Sequence, residues 1–237
     1  MAALVIIVGL VVLIWLLARA GIFRAFGRSA PRQTVDTDRR SIGDLPDLPA
    51  AGDFRPVFRY EFLAPLRALD DVADGDDVSG LDALVGCARG TFNGRSVWVY
   101  GRATPSGTVV CSVSELNADV PRLEITPTGA PTDGPALPLE RGTAFTCGAS
   151  DDFTNAFAVM TTDDTFAAEL LDEPMRRFLL AQVEPWSFGF GGNYVVVRAR
   201  GLDTVGVERF LDVVTRMRDT VPSGVRRMYP ASSPDAS

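Results

Sequence analysis

The N-terminal segment constrains this chain more than any other feature, because an apolar run carries no charged side chain until Arg19. At 1.5 Å per residue, a helix of about 20 such residues matches the roughly 30 Å hydrocarbon core of a bilayer. No basic side chain precedes the run and no small-residue cleavage site ends it, which favours an uncleaved anchor over a secretory signal peptide. We therefore expect a transmembrane helix over residues 1–24.

The placement of arginines predicts the orientation of this helix. Only the α-amino group precedes the apolar run, and positive charge is retained on the cytoplasmic side of a membrane. We expect a single-pass protein of the cell membrane, with its N-terminus outside and its domain in the cytoplasm. The arginines that follow the run are Arg19, Arg24, Arg28, Arg32, Arg39 and Arg40.

The rest of the chain divides into a linker, one domain and a tail. Residues 25–53 lack an apolar period and are rich in Pro, Gly, Asp and Arg, which predicts a disordered linker. A flexible coil of that length spans roughly 25–30 Å. Residues 54–229 are enough for one domain with its own core, and residues 230–237 are predicted to be a disordered tail.

Composition excludes most common enzyme mechanisms. All 23 basic side chains are arginine, so the chain has neither a catalytic histidine nor a phosphate-binding or Schiff-base lysine. A net charge of −7 opposes binding to nucleic acid. Cys87, Cys111 and Cys147 match no zinc spacing and are interpreted as buried thiols. We expect no catalytic residue, no metal site and no cofactor.

The first part of the domain has the pattern of an antiparallel meander. Residues 83–91 and 95–101 flank Asn93-Gly94, a dipeptide typical of a type I′ hairpin turn. Residues 108–116 continue the meander. Further short strands are predicted over residues 56–63, 122–126 and 153–160.

The C-terminal third changes to a helical period. Thr162 or Asp163 can cap a helix that ends near Leu171, and Asp172 can cap the next, with Pro174 in its first turn. A hairpin around residues 191–193 is predicted to join strands 186–190 and 194–199. A last helix runs from Asp203 to about Arg218, and its inward-facing residues are expected to be Val207, Phe210, Leu211, Val214 and Met217. These patterns predict an α+β domain, an antiparallel sheet with helices toward the C-terminus.

Two segments of this region carry a resemblance to a known group. The sequences FTNAFAV, from Phe153, and DDTFAAELL, from Asp163, resemble the F-N-x-x-F-x-V strand and D-x-x-F-A-x-x-L-L helix of uncharacterised actinobacterial single-pass membrane proteins. The resemblance covers roughly residues 83–225 and departs from the pattern at Thr154, Asn155 and Ala156. It implies a bacterial, membrane-anchored domain, and it implies no activity because none is established for the group.

Two loops have the composition of ligand sites but not the spacing. Residues 70–80 hold five aspartates without the D-x-D-x-D-G spacing or the final glutamate of an EF-hand, so we interpret them as a solvated loop. Phe188 to Tyr194 is rich in glycine, but it is not G-x-G-x-x-G and no lysine follows it. A hairpin turn is the better interpretation.

Charged and aromatic side chains give weaker candidates. Asp172, Glu173 and Glu184 are the acids considered for carboxylate-dependent hydrolysis, which requires two carboxyls about 5–10 Å apart in a cleft. The aromatics Trp98, Tyr100 and Trp186 are expected to pack in the core or on a strand face rather than line a pocket. Two pairs of arginines could bind a carboxylate, a phosphate or a lipid head group, but in an acidic domain we expect intramolecular ion pairs instead. They are Arg176, Arg177, Arg226 and Arg227.

Three functions remain open. The first is a non-enzymatic cytoplasmic module, tethered to the membrane, that binds a protein partner whose identity the sequence does not give. The second is a domain that senses a lipid or small ligand in an apolar pocket. The third is the carboxylate-dependent hydrolase. We favour the first, because the chain combines an anchor and a long linker with no catalytic motif.

Overall fold

The computed structural model describes residues 48, 53–57, 63–69, 84–104, 107–129, 142–146, 151–182, 184–200, 202 and 204–231. All of them belong to one compact unit, Arg39–Ser237. The predicted anchor (residues 1–24), most of the predicted linker and tail, and the acidic loop 70–80 lie outside the described residues. Within the described residues, no helix is long and apolar enough to cross a membrane.

The described residues form seven strands and six helices. The strands are β1 (Arg55–Pro56), β2 (Leu84–Phe92), β3 (Arg95–Thr104), β4 (Gly107–Pro127), β5 (Thr143–Ala144), β6 (Phe157–Thr161) and β7 (Ser187–Arg200). The helices are α1 (Leu63–Ala68), α2 (Asp151–Ala156), α3 (Asp164–Leu170), α4 (Glu173–Leu180), α5 (Thr204–Thr220) and α6 (Ser223–Met228).

The strands form one antiparallel sheet around the long strand β4. The order is β1-β2-β3-β4-β6-β5, and β7 also pairs with β4. Residues 107–114 of β4 pair with β3 and residues 123–127 pair with β6, while β7 pairs with both of these parts. Most of the helices follow the meander in the chain. This arrangement confirms an α+β domain with an antiparallel sheet and helices toward the C-terminus.

The hairpin predicted at Asn93-Gly94 is present between β2 and β3. Asn93 has φ 49° and Gly94 has φ 72°, the two positive values that a type I′ turn requires. The turn also contacts α5, because Asn93 Nδ2 donates to Asp212 Oδ1 at 3.4 Å and Arg95 pairs with Asp219 at 3.3 Å. Two side chains at the tip of the hairpin thus contact two aspartates on one helix.

The second predicted hairpin, around residues 191–193, is wrong. Ser187–Arg200 is one continuous strand, and β4 pairs with the residues on both sides of the glycines. The predicted strands 108–116 and 122–126 are likewise parts of one strand, β4, interrupted by a register shift between Glu115 and Val120. Both halves of β7 form their strand pairing with β4, so they do not pair with each other as a hairpin.

One shorter strand prediction is also corrected, and another is tested only at its two ends. Residues 153–160 begin in helix α2, which buries Phe153, and only Phe157–Thr161 is a strand. Of the strand predicted over 56–63, Pro56 lies in β1 and Leu63 begins α1, while residues 58–62 lie outside the described residues. Local alternation of apolar residues did not distinguish one helical turn from a strand in these short segments.

One face of the sheet, here called the helical face, packs under α2–α6. Asp163 and Asp172 cap α3 and α4 as predicted, accepting from Phe166 N at 3.0 Å and Met175 N at 2.9 Å. The predicted inward-facing residues of α5 are all buried. Strand residues on this face include Ala88, Val97, Val99, Ile125, Val195 and Val197.

The other face, here called the α1 face, has a separate hydrophobic cluster. Leu66 of α1 and Leu69, which follows it, pack there and are nearly fully buried. The strand residues of the cluster are Leu84, Cys87, Trp98, Tyr100, Val109, Cys111, Val113, Tyr194 and Val196. Cys87 and Cys111 are buried thiols, as predicted, and Cys147 lies outside the described residues.

Candidate functional site

A row of buried polar and aromatic groups crosses the α1 face. The register places one residue of each of four neighbouring strands side by side, namely Cys87, Tyr100, Cys111 and Arg198. Arg198 is only 1% exposed and is the largest fully buried side chain of the described residues. Moving a charged group from water into the protein interior costs several kcal/mol, so a buried guanidinium requires a partner.

Glu124 is that partner. Arg198 Nη1 lies 2.7 Å from Glu124 Oε2, and the two side chains are 1% and 6% exposed. Charge-assisted hydrogen bonds of this length are among the stronger ones in proteins. The pair therefore has a fixed geometry and little contact with water.

The contact between these two residues requires a sharp bend in β7. In the sheet Glu124 lies opposite Gly189, and Arg198 lies nine residues farther along β7. A straight strand would separate these positions by roughly 30 Å. A Cβ atom on Gly189 would instead be 2.9 Å from Val196 Cγ1 and 3.0 Å from Arg198 Nη1. β7 therefore turns back on itself, and the ion pair joins its two halves.

Strand β4, which runs beside the bend in β7, contains extra residues that accommodate the bend. Residues 109–125 of β4 run beside residues 188–200 of β7, so β4 contributes four more residues than β7. The additional residues lie at the two register shifts, between Glu115 and Val120 and between Val120 and Leu123. Pro121, which has no N–H for a ladder hydrogen bond, lies in this irregular stretch. Bulges of this kind increase the local twist and bending of a strand.

The end of α1 lies against the bend. A Cβ on Gly191 would collide with the carbonyl oxygen of Ala68, and a Cβ on Gly192 would lie 3.0 Å from Ala68 Cβ. Arg122 Nε donates to the same carbonyl at 3.2 Å. The glycine-rich segment thus permits close approach of α1 to β7, and Gly192 also has φ 52°.

The aromatic candidates pack as expected. Trp98 and Tyr194 meet edge to face with ring centroids 6.1 Å apart, and the Arg89 guanidinium lies 4.7 Å from the centre of the Trp98 ring. Trp186 contacts Phe210 in the same manner at 5.6 Å. Burial, and then the charge of Glu115, raises the pKa of Tyr194. These rings belong to the two hydrophobic clusters.

The three acids considered for hydrolysis serve three separate structural roles. Glu173 pairs with Arg177 in the next turn of α4, and this hydrogen bond lowers the pKa of Glu173. Glu184 Oε1 lies 2.7 Å from Arg209, and Asp172 caps α4. Within the described part of the chain, no group of three or more Cys, Asp or Glu side chains could hold a metal ion.

The predicted ion pairs of the four arginines are only partly present. Arg177 has its partner in Glu173, whereas Arg176 Nη1 donates to the carbonyl of Leu171 at 2.5 Å. Arg226 donates to backbone carbonyls and Arg227 to a serine hydroxyl. The expectation of an ion pair is wrong for Arg226 and Arg227 over the described residues, because the end of α5 offers carbonyl oxygens to Arg226 instead.

The ion pair between Arg198 and Glu124 was not found from the sequence. Its members are 74 residues apart, and no local spacing connects them. The available signal was one charged residue in each of two short apolar segments, Arg198 in VVVRA and Glu124 in LEI. Such a residue is either exposed on a strand edge or paired in the interior, and only the fold distinguishes these cases.

No protein-family model matches this chain, and no curated protein matches its sequence. Among solved structures, the chain is similar to the crystal structure of the mycobacterial trehalose monomycolate transport factor A, TtfA, with a TM-score of 0.48 and 12% sequence identity. The alignment covers 63% of this chain and 75% of that chain. A similarity of this size supports no statement about activity.

Proposed function

We propose that this chain is a membrane-anchored, non-enzymatic module that binds another protein in the cytoplasm. The observation that supports the proposal is how five carboxylates of the described residues are used. Glu124 is paired inside the sheet, Glu173 and Glu184 are paired with arginines on the surface, and Asp163 and Asp172 cap helices. Acids with these roles stabilise a fold and are poorly placed to transfer protons to a substrate.

Features of the sequence also support the proposal. Histidine and lysine are absent, so the partners of the paired carboxylates are arginines and not bases that titrate near neutral pH. The apolar run 1–24 and the linker 25–53 would tether the domain while leaving it free to meet a partner. The resemblance to actinobacterial single-pass proteins is consistent with the same architecture.

The experiment is chemical cross-linking in intact cells, followed by purification of the full chain. A version lacking residues 1–24 is the matched control, because it keeps the described domain and removes only the predicted anchor. We expect one protein partner to be recovered reproducibly with the full chain, and less of it with the control. Recovery of this protein alone, from cells in which the chain is folded and membrane-bound, would contradict the proposal.

The α1 face favours a second candidate, a domain that senses a lipid or small ligand. A separate apolar cluster with buried charge lies on this face, and the short helix α1 covers part of it. Apolar walls with a few fixed polar groups are typical of ligand sites. A thermal-shift screen of lipids and small amphiphiles on the full chain in detergent tests this candidate. A ligand whose effect disappears in Tyr100→Ala but not in Phe178→Ala, on the helical face, would favour it.

A further inference from the structure

The end of α5 and helix α6 carry a concentration of positive charge in a chain whose net charge is −7. The hairpin turn between β2 and β3 adds one more arginine, because Arg95 contacts the last turn of α5. We call this surface the basic corner. It consists of Arg95, Arg226, Arg227 and Met228, with the mostly buried Arg218 beneath them.

Arg226 and Arg227 form no ion pair with a carboxylate of the described residues, although the Glu169 carboxylate lies against Gly224 on the same helix. Arg226 Nη2 donates to the carbonyl of Arg218 at 2.7 Å, and Arg227 Nη1 donates to Ser223 Oγ at 3.1 Å. Both acceptors are uncharged. These bonds hold the guanidiniums in place and leave their positive charge uncompensated at ion-pair distance.

Arg95 and Arg218 share one carboxylate. Asp219 Oδ1 lies 3.3 Å from Arg95 and 3.7 Å from Arg218. Burial, and then the neighbouring charges of Arg95 and Arg226, lower the pKa of Arg218, against the opposing effects of Asp219 and Glu115. Like charges are therefore held close together here, and an added anion would relieve their repulsion.

An exposed apolar side chain lies beside these charges. Met228 is 47% exposed, while Val225 on the same helix is fully buried. Apart from Met228, the large hydrophobic side chain most exposed in the described residues is Leu180, on α4. Arginines beside an exposed apolar group are typical of surfaces that bind the bilayer interface, where guanidiniums contact phosphates and the apolar group enters the acyl boundary.

We propose that the basic corner docks on the anionic phospholipid surface of the membrane. The inference rests on the proposed anchor, which would keep the domain within the reach of its linker. The charge of the corner is complementary to anionic headgroups, and Met228 supplies the apolar contact. Each arginine at such a surface strengthens binding by about five-fold. Docking would fix which side of the domain is left to face a protein partner.

The test uses the full chain reconstituted in phosphatidylcholine vesicles, with and without phosphatidylglycerol. Met228→Cys carries a fluorophore, Cys147→Ser is present in every sample, and the buried Cys87 and Cys111 remain. Spin-labelled lipid quenches the fluorophore only when residue 228 reaches the bilayer. We expect quenching in the mixed vesicles, little in phosphatidylcholine alone, and its loss as salt is raised.

Two variants and one control identify the residues responsible. Arg226→Gln with Arg227→Gln should weaken docking about 25-fold, the product of two arginine contributions. Arg227→Glu alone should also weaken it, and since this side chain is exposed and bonds only Ser223, it should leave the fold intact. Arg176→Gln with Arg177→Gln removes the same charge from α4 and should change nothing.

The outcomes separate docking from the anchor. Equal quenching in both lipids, or equal loss in the α4 control and the corner variants, would overturn the docking proposal. Retention of the chain in vesicles after an alkaline wash reports the anchor independently. If the chain washes off, the anchor fails, and docking is measured by the same quenching with the chain added to preformed vesicles.

Discussion

The two faces of the sheet are stabilised by different physics. The helical face buries apolar side chains from α2–α6. The stabilisation from such burial is roughly proportional to the apolar area removed from water and does not depend on direction. The α1 face combines a smaller apolar cluster with a buried ion pair whose members must meet at one geometry. The helical face therefore supplies most of the stability. The α1 face specifies the bend of β4 and β7, because only the bent sheet brings Glu124 to Arg198.

The largest expected effect lies on the helical face. Phe210 is fully buried against Trp186, so Phe210→Ala leaves a cavity and should lower the free energy of unfolding by about 4 kcal/mol. Phe178→Ala, at a partly buried position on the same face, is the matched control and should lose much less. Urea unfolding followed by circular dichroism measures both. Equal losses of unfolding free energy in the two variants would mean that the extent of burial does not determine how much a side chain on this face stabilises the fold.

Removing one member of the ion pair should have the next largest effect. Arg198→Met keeps the apolar stem but leaves Glu124 buried without its charged partner, and should lower the free energy of unfolding by about 3 kcal/mol. Arg198→Met combined with Glu124→Leu removes both charges and should be more stable than the single variant. A double variant that loses the sum of the two single losses would show that the side chains are not coupled.

Gly189 tests the bend itself. In Gly189→Ala the new Cβ would lie 2.7 Å from Glu124 Oε1, so the ion pair must shift, and we expect a loss of about 2 kcal/mol in unfolding free energy. Gly94→Ala is the control, since its Cβ would meet nothing within 4 Å and only the positive φ is unfavourable, at about 1 kcal/mol. If Gly189→Ala is as stable as the parent, the two halves of β7 are not in contact.

The smallest expected effect is a dependence of stability on alkaline pH. Burial, and then the charge of Asp163, raises the pKa of Tyr229, whose hydroxyl donates to Asp163 Oδ2 at 3.2 Å. Because the pKa is raised in the folded state, this stabilisation is fully present below the ordinary tyrosine pKa of about 10 and is lost as pH rises through the folded value.

Ultraviolet titration of the phenols measures this effect. Asp163→Asn keeps a side-chain oxygen that can cap α3, removes the negative charge and should return the pKa of Tyr229 toward 10. The pKa of Tyr194, on the α1 face and raised by burial first, should not respond to that substitution. A response of both tyrosines would mean that Asp163 acts through the fold and not on Tyr229 directly.

Two turn-like segments show what the local sequence can predict and what it cannot. Asn93-Gly94 made a hairpin as predicted, because both residues supply the positive φ and the flanking strands are adjacent in the chain. The glycines at 191 and 192 made a bend within one strand, because β4 pairs with the residues on both sides of them. The same kind of local signal thus gives different structures, depending on a partner strand that is distant in sequence.

The sequence by itself determined the α+β class, the first hairpin, the caps at Asp163 and Asp172, and the buried side of α5, because periodicity and capping are local properties. Tertiary structure alone decided that β4 and β7 are long bent strands and that Arg198 meets Glu124. Those features depend on contacts across 74 residues, and the free energy of such contacts exists only once the sheet has formed.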